Sequence, residues 1–464
     1  MDSTATLNSP SPSPSPAQKA KAPRLSLKAL SGRGVLAIAD QGLISGSNFI
    51  ISIVLARSLT PRDYGVYALG FEVFLFLSVL YGCLVLEPMS VFGASVYREH
   101  AESYLGSMVR IHAVASLAML GGIAACAWVA YVIAPSSSLP ATLAGVSVAG
   151  PVVLLFWAAR RAFYMKLTSQ GAVAGSSIYF AVLIGGLFAF YKWNLLSPFT
   201  AFLLMALGAA IAAASMLWRL KPQLSADHVG PHVREVVGQH WDYGKWVLAS
   251  AIPSWFSGAM YYPLLSHYSG LAEAGKLKAL MNLTSPVAQV FVAVSLLSLP
   301  YASHVYHEDG PRSANRLVWR LTGLYAGGTA LYWAALLVVR GPVVHHLYGG
   351  KYAVITNLLP WIAVGSIFRI SASAQTNILR GMRLPKLVCA VYATAGVIGI
   401  VLGVPAIWRY GIKGAMFTFV IVGAAASIAA TVTALRRAAK QRAEAAAAKD
   451  EIVPSEEASV IAEG

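Results

Sequence analysis

Runs of about twenty apolar residues recur along almost the whole chain, and this recurrence dictates what it can fold into. A bilayer core about 30 Å thick takes about 20 residues of α-helix to cross. Twelve such runs can be read, at 36–56, 66–88, 108–134, 141–159, 171–191, 197–218, 245–266, 279–300, 317–339, 354–379, 386–406 and 412–434. Charge is scarce enough to exclude a soluble protein: 12% of the 464 residues are Asp, Glu, Lys or Arg, where soluble domains carry about 25%. The fold expected is all-α, a polytopic membrane protein with about 12 transmembrane helices.

The connections set the domain limits. Stretches such as 192–196 and 407–411 leave room only for a turn, and the longest internal connection is 219–244. The expected organisation is a segment 1–34, an N-lobe 35–218 with helices one to six, a linker 219–244, a C-lobe 245–435 with helices seven to twelve, and a tail 436–464. The first segment holds a Ser-Pro repeat from Ser9 to Pro16 and then scattered basic residues, which reads as disordered polar chain and not as a signal peptide.

The net charge of +16 raises the question of a nucleic-acid partner, but the basic residues form short clusters between apolar runs. With twelve spans, 25 of the 35 Lys and Arg fall on the side of both termini, nine on the other side and Arg369 inside a span. Lys276 and Lys278 count among the nine, in the connection before the eighth span. This bias predicts cytoplasmic termini, contact with anionic membrane lipids and no nucleic acid. Cys83, Cys126 and Cys389 are odd in number and lie in apolar runs, so no disulfide scaffold is expected. The chain has no GxxxxGK[ST] loop, no Cys/His group at zinc spacing and no large extracytoplasmic loop that could hold a glycosyl-transfer site. An enzyme, a metal and a cofactor are therefore not expected.

The halves resemble each other at an offset of about 209. In the first span Gln41, Ser45, Asn48 and Ser52 share one helix face. Adding 209 gives Ser250, Ser254, Ser257 and Tyr261, also polar, in the seventh. Asp63-Tyr64-Gly65 matches Glu273-Ala274-Gly275 at 210. Six spans per repeat is an even number, so the lobes would be related by an axis along the membrane normal, with a substrate site near the midplane between them. The polar stripes either line that cavity or glue helices together, as the adjacent Gly42-x-x-x-Gly46 would allow.

Charges inside spans are expensive, about 2.5–3.5 kcal/mol each at the bilayer centre. Arg369 lies 11 residues before Arg380, about 16 Å in depth at 1.5 Å per residue. Ser366, Ser373, Thr376 and Asn377 lie near the same face. Arg369 is either a cation for an anionic substrate or half of an ion pair with Glu72 or Asp40. Glu72, whose counterpart at 210 is Asn282, could couple transport to a proton or cation, or brace helices through a buried hydrogen bond. Asp40 and Glu87 sit near span ends, where a structural role at the headgroup level is favoured, with Asp40 the second candidate, after Glu72, for ion coupling.

Asp40-Gln41-Gly42-Leu43-Ile44-Ser45-Gly46-Ser47-Asn48-Phe49, Ala56-Arg57, Tyr64-Gly65 with Tyr67-Ala68-Leu69, Glu87-Pro88-Met89 and Tyr243-Gly244-Lys245-Trp246 resemble polysaccharide flippases of the multidrug/oligosaccharidyl-lipid/polysaccharide (MOP) exporter superfamily. The resemblance implies transport of undecaprenyl-diphosphate-linked oligosaccharide across a bacterial inner membrane for O-antigen, capsule or exopolysaccharide assembly, alongside the polymerase and glycosyltransferases of that pathway. It also implies a cavity formed by Gln41, Ser45, Asn48, Ser254, Ser257, Tyr261, Arg369, Ser373 and Asn377, with Arg160, Arg161 and Arg380 receiving the diphosphate first, or serving as ordinary positive anchors. A cation-coupled multidrug antiporter of the same superfamily and a membrane polysaccharide polymerase are the alternatives.

Overall fold

A computed structural model describes residues 27–93, 95–224, 232–292, 294–295, 305, 310–381 and 385–462. Among these residues there is no strand. The elements are α1 (Leu27–Ser58), α2 (Pro61–Tyr81), a π-helical turn (Gly82–Leu86), α3 (Glu87–Phe92), α4 (Ala101–Ile133), α5 (Leu139–Met165), α6 (Ser169–Lys192), α7 (Pro198–Leu220), α8 (Val233–Ala259), α9 (Tyr261–Tyr268) and α10 (Leu271–Asn282). They continue with α11 (285–292), α12 (Gly310–Val338), α13 (Arg340–Tyr348), a 3-10 turn (Ala353–Leu358), α14 (Leu359–Gly381) and α15 (Pro385–Ala462). Among the described residues nine helices are long and apolar enough to cross a membrane. One of the nine, Lys386–Arg437, is 52 residues long and breaks at Gly411, whose φ of 55° only glycine adopts freely. It thus covers two of the expected spans.

Helix starts follow from local chemistry. Thr60 caps α2 by accepting the Asp63 N–H at 3.1 Å, with Pro61 at the first helical position. Ser197 and Thr200 form a capping box ahead of α7: Ser197 Oγ accepts the Thr200 N–H and Thr200 Oγ1 accepts the Ser197 N–H.

Breaks follow from proline, which has no N–H to give to the carbonyl four residues back. Pro263 stands four residues after Ala259, where α8 stops and α9 begins, so the seventh expected span is two helices. Pro88 leaves the Leu84 carbonyl free inside the π-helical turn. His240 of α8 takes that carbonyl, donating from Nδ1 at 3.2 Å. The connection 219–244 is thus only partly a linker, because α8 begins at Val233 and docks on the π-helical turn and α3 before it enters the membrane.

α1 to α7 pack on one another, and α8, α12, α14 and α15 pack on one another, giving two lobes. The halves meet along α2 and α10. The end opposite the termini is zipped shut. Lys351 Nζ donates to the carbonyls of Arg57 at 2.7 Å and Leu59 at 2.9 Å, and Arg57 donates to the His346 carbonyl at 3.0 Å. His345 and His346 are exposed and lie in α13. Asn282, formally a glycosylation sequon, is buried and donates to Ser52 Oγ at 2.9 Å and Tyr64 OH at 2.8 Å.

Candidate functional site

A cavity of about 990 Å³ lies between the lobes. The stripe of α1 forms one wall: Gln41, Ser45, Asn48 and Ser52 all line it. A helix puts positions 0, 4, 7 and 11 on one face, which is why four polar residues in an apolar span converge here. Gln41 Nε2 donates to Ser45 Oγ at 3.2 Å and, across the cavity, to Gln289 Oε1 at 3.4 Å. The helix-glue reading of Gly42-x-x-x-Gly46 finds little support in the contacts: a Cβ on Gly42 would meet nothing within 4 Å, and one on Gly46 would meet only Phe180 at 3.9 Å.

The other walls come from Tyr67 and Phe71 of α2, Glu87 and Ser90 of α3, Trp157, Arg160 and Arg161 of α5, Tyr243 of α8, Lys278 and Asn282 of α10, and Gln289 of α11. Glu87, Val91 and Arg161 are exposed, whereas Ser52, Tyr67, Lys278 and Asn282 are buried. The mouth therefore opens at the end that carries the termini, and the floor lies toward the zipped end.

The two arginines of α5 differ. Arg160 is held by Asp40, with Nη2 to Oδ2 at 2.5 Å and Nε to Oδ1 at 3.3 Å. Asp40 is 1% exposed and also accepts from Tyr164 OH at 2.6 Å and from Ser176 Oγ. One buried carboxylate thereby ties α1, α5 and α6, and its negative charge cancels the positive charge of Arg160. Its geometry is that of a brace and not of an open ion site. Arg161, one residue on, has no carboxylate within 4.0 Å among the described residues and offers a free cation at the mouth.

Lys278 is the residue that sequence reading misplaced. It belongs to α10, is 8% exposed, and holds its ammonium 4.0 Å above the centroid of the Phe71 ring. It lines the cavity instead of sitting in a loop on the far side. Hydropathy misses it because Glu273, Lys276 and Lys278 crowd one short helix. Glu72 is buried beside it on α2, and their charges act on each other without approaching to 4.0 Å.

The C-lobe residues are not gathered here. Arg369 is half-buried on α14, its guanidinium 5.3 Å from the Phe419 ring centroid and near Gly258, where a built Cβ would stand 3.4 Å from Nη2. It pairs with neither Asp40 nor Glu72 and has no carboxylate within 4.0 Å among the described residues. Tyr261 is fully buried with no hydrogen-bond partner for its hydroxyl among the described residues. Asn377 donates to Ser295 Oγ at 2.8 Å, and Ser295 meets Tyr325 OH at 2.8 Å, so this part of α14 is tied through Ser295 to α12. Ser373 is half-buried next to it. None of these four residues lines the cavity described above. The side chains of Ser254, Ser257 and Arg380 lie outside the described residues.

No protein-family model matches the chain, and no curated protein matches it. Solved structures do match its fold. An inward-facing multidrug resistance MATE family transporter of the MOP superfamily superposes with a TM-score of 0.71 at 10% identity, covering 87% of this chain and 95% of that one. The lipid II flippase MurJ in an inward closed conformation gives 0.65 at 15% identity, covering 86% and 87%. A MOP superfamily transporter from Pyrococcus furiosus, described as having a binding pocket of reverse polarity, gives 0.59 at 12% identity, covering 87% and 94%. At these identities the likeness is one of fold.

Proposed function

We propose that the protein moves an undecaprenyl-diphosphate-linked oligosaccharide across a bacterial inner membrane by alternating access, for O-antigen, capsule or exopolysaccharide assembly. The observation that carries this reading is the interlobe cavity, open at the end of the termini, with Arg161, which has no carboxylate within 4.0 Å among the described residues, at its mouth and Ser, Asn and Gln side chains along its wall. A diphosphate made on the cytoplasmic face meets Arg161 first. A guanidinium suits it, since its planar fork binds phosphate oxygens in pairs. The hydroxyl and amide groups of α1 then offer both donors and acceptors to sugar hydroxyls, while the polyprenyl tail stays in the bilayer. The bias of basic residues toward the termini supports cytoplasmic ends.

Arg369 is proposed as a further cation for the diphosphate on the C-lobe. Its support is the absence of a carboxylate within 4.0 Å among the described residues. Glu72 is proposed as the site of any ion coupling, since Asp40 is already held by Arg160, Tyr164 and Ser176. The polymerase and glycosyltransferases of the same pathway are the proposed functional partners.

Binding decides the matter. Detergent-purified protein should bind a polyprenyl-diphosphate oligosaccharide, and Arg161→Gln should weaken that binding by about 1–3 kcal/mol, the size of one charge-assisted contact. The second reading, a cation-coupled multidrug antiporter, draws support from two acids, Glu87, which lines the cavity, and Glu72, buried on α2 where its charge acts on that of Lys278. It requires instead that lipophilic cations bind, that the diphosphate lipid does not, and that Arg161→Gln leaves binding unchanged.

A further inference from the structure

The charges of the cavity are spread further apart than a diphosphate can reach. Arg161 stands at the mouth, where Glu87 is the acid that acts on it. Lys278 lies at the floor over Phe71. Phe71 and Glu87 are 16 residues apart along α2, the π-helical turn and α3, which is about 24 Å at 1.5 Å per residue. A diphosphate bound by Arg161 does not reach Lys278, on which only the charge of Glu72 acts, from beyond 4.0 Å, among the described residues. Arg160 cannot serve as an intermediate station, because Asp40 already holds it.

The floor holds polar groups without hydrogen-bond partners among the described residues. The Lys278 side chain is buried and has no hydrogen bond and no carboxylate within 4.0 Å among the described residues. Its aromatic contact gives the ammonium only weak compensation, about 0.5–2 kcal/mol, against a desolvation cost of several kcal/mol for a buried ion. Tyr67, one helical turn from Phe71, is fully buried and lines the same floor. Its hydroxyl has no hydrogen-bond partner among the described residues. Asn282 and Ser52 complete the floor but already bond to each other and to Tyr64. Glu72 does not line the cavity and comes no closer than 4.0 Å to the ammonium. An ammonium and a phenolic hydroxyl that belong to residues lining one cavity, neither with a hydrogen-bond partner among the described residues, are groups that a carboxylate would satisfy.

We infer that the floor is a second anion subsite, formed by Lys278 and Tyr67, and that the carried oligosaccharide is acidic, bearing a carboxylate on a sugar distal to the diphosphate. This rests on the proposed transport of a lipid-linked diphosphate and narrows its substrate. The diphosphate stays at Arg161 while the glycan reaches inward, and its carboxylate takes up the ammonium and the hydroxyl together.

The test uses the full chain in detergent and two synthetic short-chain polyprenyl-diphosphate oligosaccharides that differ only in carrying glucuronate or glucose at the distal position. Wild type should bind the glucuronate lipid about tenfold more tightly, a typical value for one charge-assisted contact. Lys278→Met should bring that ratio to about one, while Lys278→Arg should keep part of it. Tyr67→Phe, which removes one oxygen and no packing volume, should lower the ratio severalfold and serves if the Lys278 variants do not fold. Equal affinity of wild type for the two lipids, or a preference that survives in both Lys278→Met and Tyr67→Phe, overturns the acidic-glycan inference and leaves the transport reading standing. Failure of wild type to bind either lipid overturns both.

Discussion

Gly65 of α2 and Gly275 of α10 lie back to back. A Cβ built on Gly65 would stand 3.2 Å from the Gly275 nitrogen, and one built on Gly275 would stand 3.0 Å from the Gly65 nitrogen. The two are also partners in the internal repeat, 210 positions apart. Equivalent residues of two repeats touch only on the axis that relates them, so this contact marks the axis between the lobes. Small residues are what allow two membrane helices to approach this closely.

Gly65→Ala should open that seam. Its Cβ would fall 1.7 Å from the Leu271 carbonyl oxygen, a backbone atom that cannot swing away. The loss should be about 1–3 kcal/mol, as for other overpacked sites, read as a lower melting temperature of the purified protein. Gly42→Ala, with open space around it, should melt like wild type or slightly higher, since alanine favours helix.

The Asp40–Arg160 pair should behave as a brace. Asp40→Asn leaves a guanidinium that is 13% exposed without its counter-charge, and breaking such a pair costs about 3–5 kcal/mol. Combining Asp40→Asn with Arg160→Met should recover much of the loss. A double-mutant cycle on thermal unfolding checks this, and additive losses would contradict the pairing.

His240 predicts a pH dependence at the base of α8, ahead of the seventh span. Burial lowers its pKa from 6.5 to about 4, and its neutral form donates from Nδ1 to the Leu84 carbonyl and meets Tyr104 OH at Nε2, 2.8 Å away. The undocked helix would take up a proton near pH 6.5, whereas the docked one resists until about pH 4. Docking should therefore weaken as pH falls through that window and be fully present above it. Proteolysis of the segment ahead of α8 should accelerate with acid in wild type and show a flatter profile in His240→Gln.

Arg369 should matter for transport more than for folding. Arg369→Ala should abolish surface polysaccharide with the protein still present in the membrane, and Arg369→Lys should keep part of the output. Full polymer production by the alanine variant at normal expression would remove Arg369 from the substrate path.

The apolar runs and the α1 stripe were legible because each is a local pattern: four polar residues at helical spacing have to share a face, wherever the helix goes. The Asp40–Arg160 pairing was not, because 120 residues separate partners that only tertiary packing brings together. Lys278 failed for a different reason. A hydropathy window begins the eighth span at 279, after the charges of α10, whereas the repeat carries the start of the second span, 66, to 276 at an offset of 210. Symmetry therefore places Lys278 inside the membrane, where charge density alone puts it outside. The kinks of the seventh span and the π-helical turn follow from Pro263 and Pro88, but that the freed Leu84 carbonyl would be claimed by His240 could not be read from local sequence.

The central claim is best tested in liposomes that hold the purified protein and a fluorescent polyprenyl-diphosphate oligosaccharide, with a membrane-impermeant quencher added outside. Wild type should make nearly all of the lipid accessible to the quencher, Arg161→Gln should slow that exposure about tenfold or more, and the matching polyprenyl lipid without its diphosphate should stay protected. Exposure no faster than in protein-free liposomes, from vesicles that do move a lipophilic cation, would contradict the account and establish the antiporter in its place.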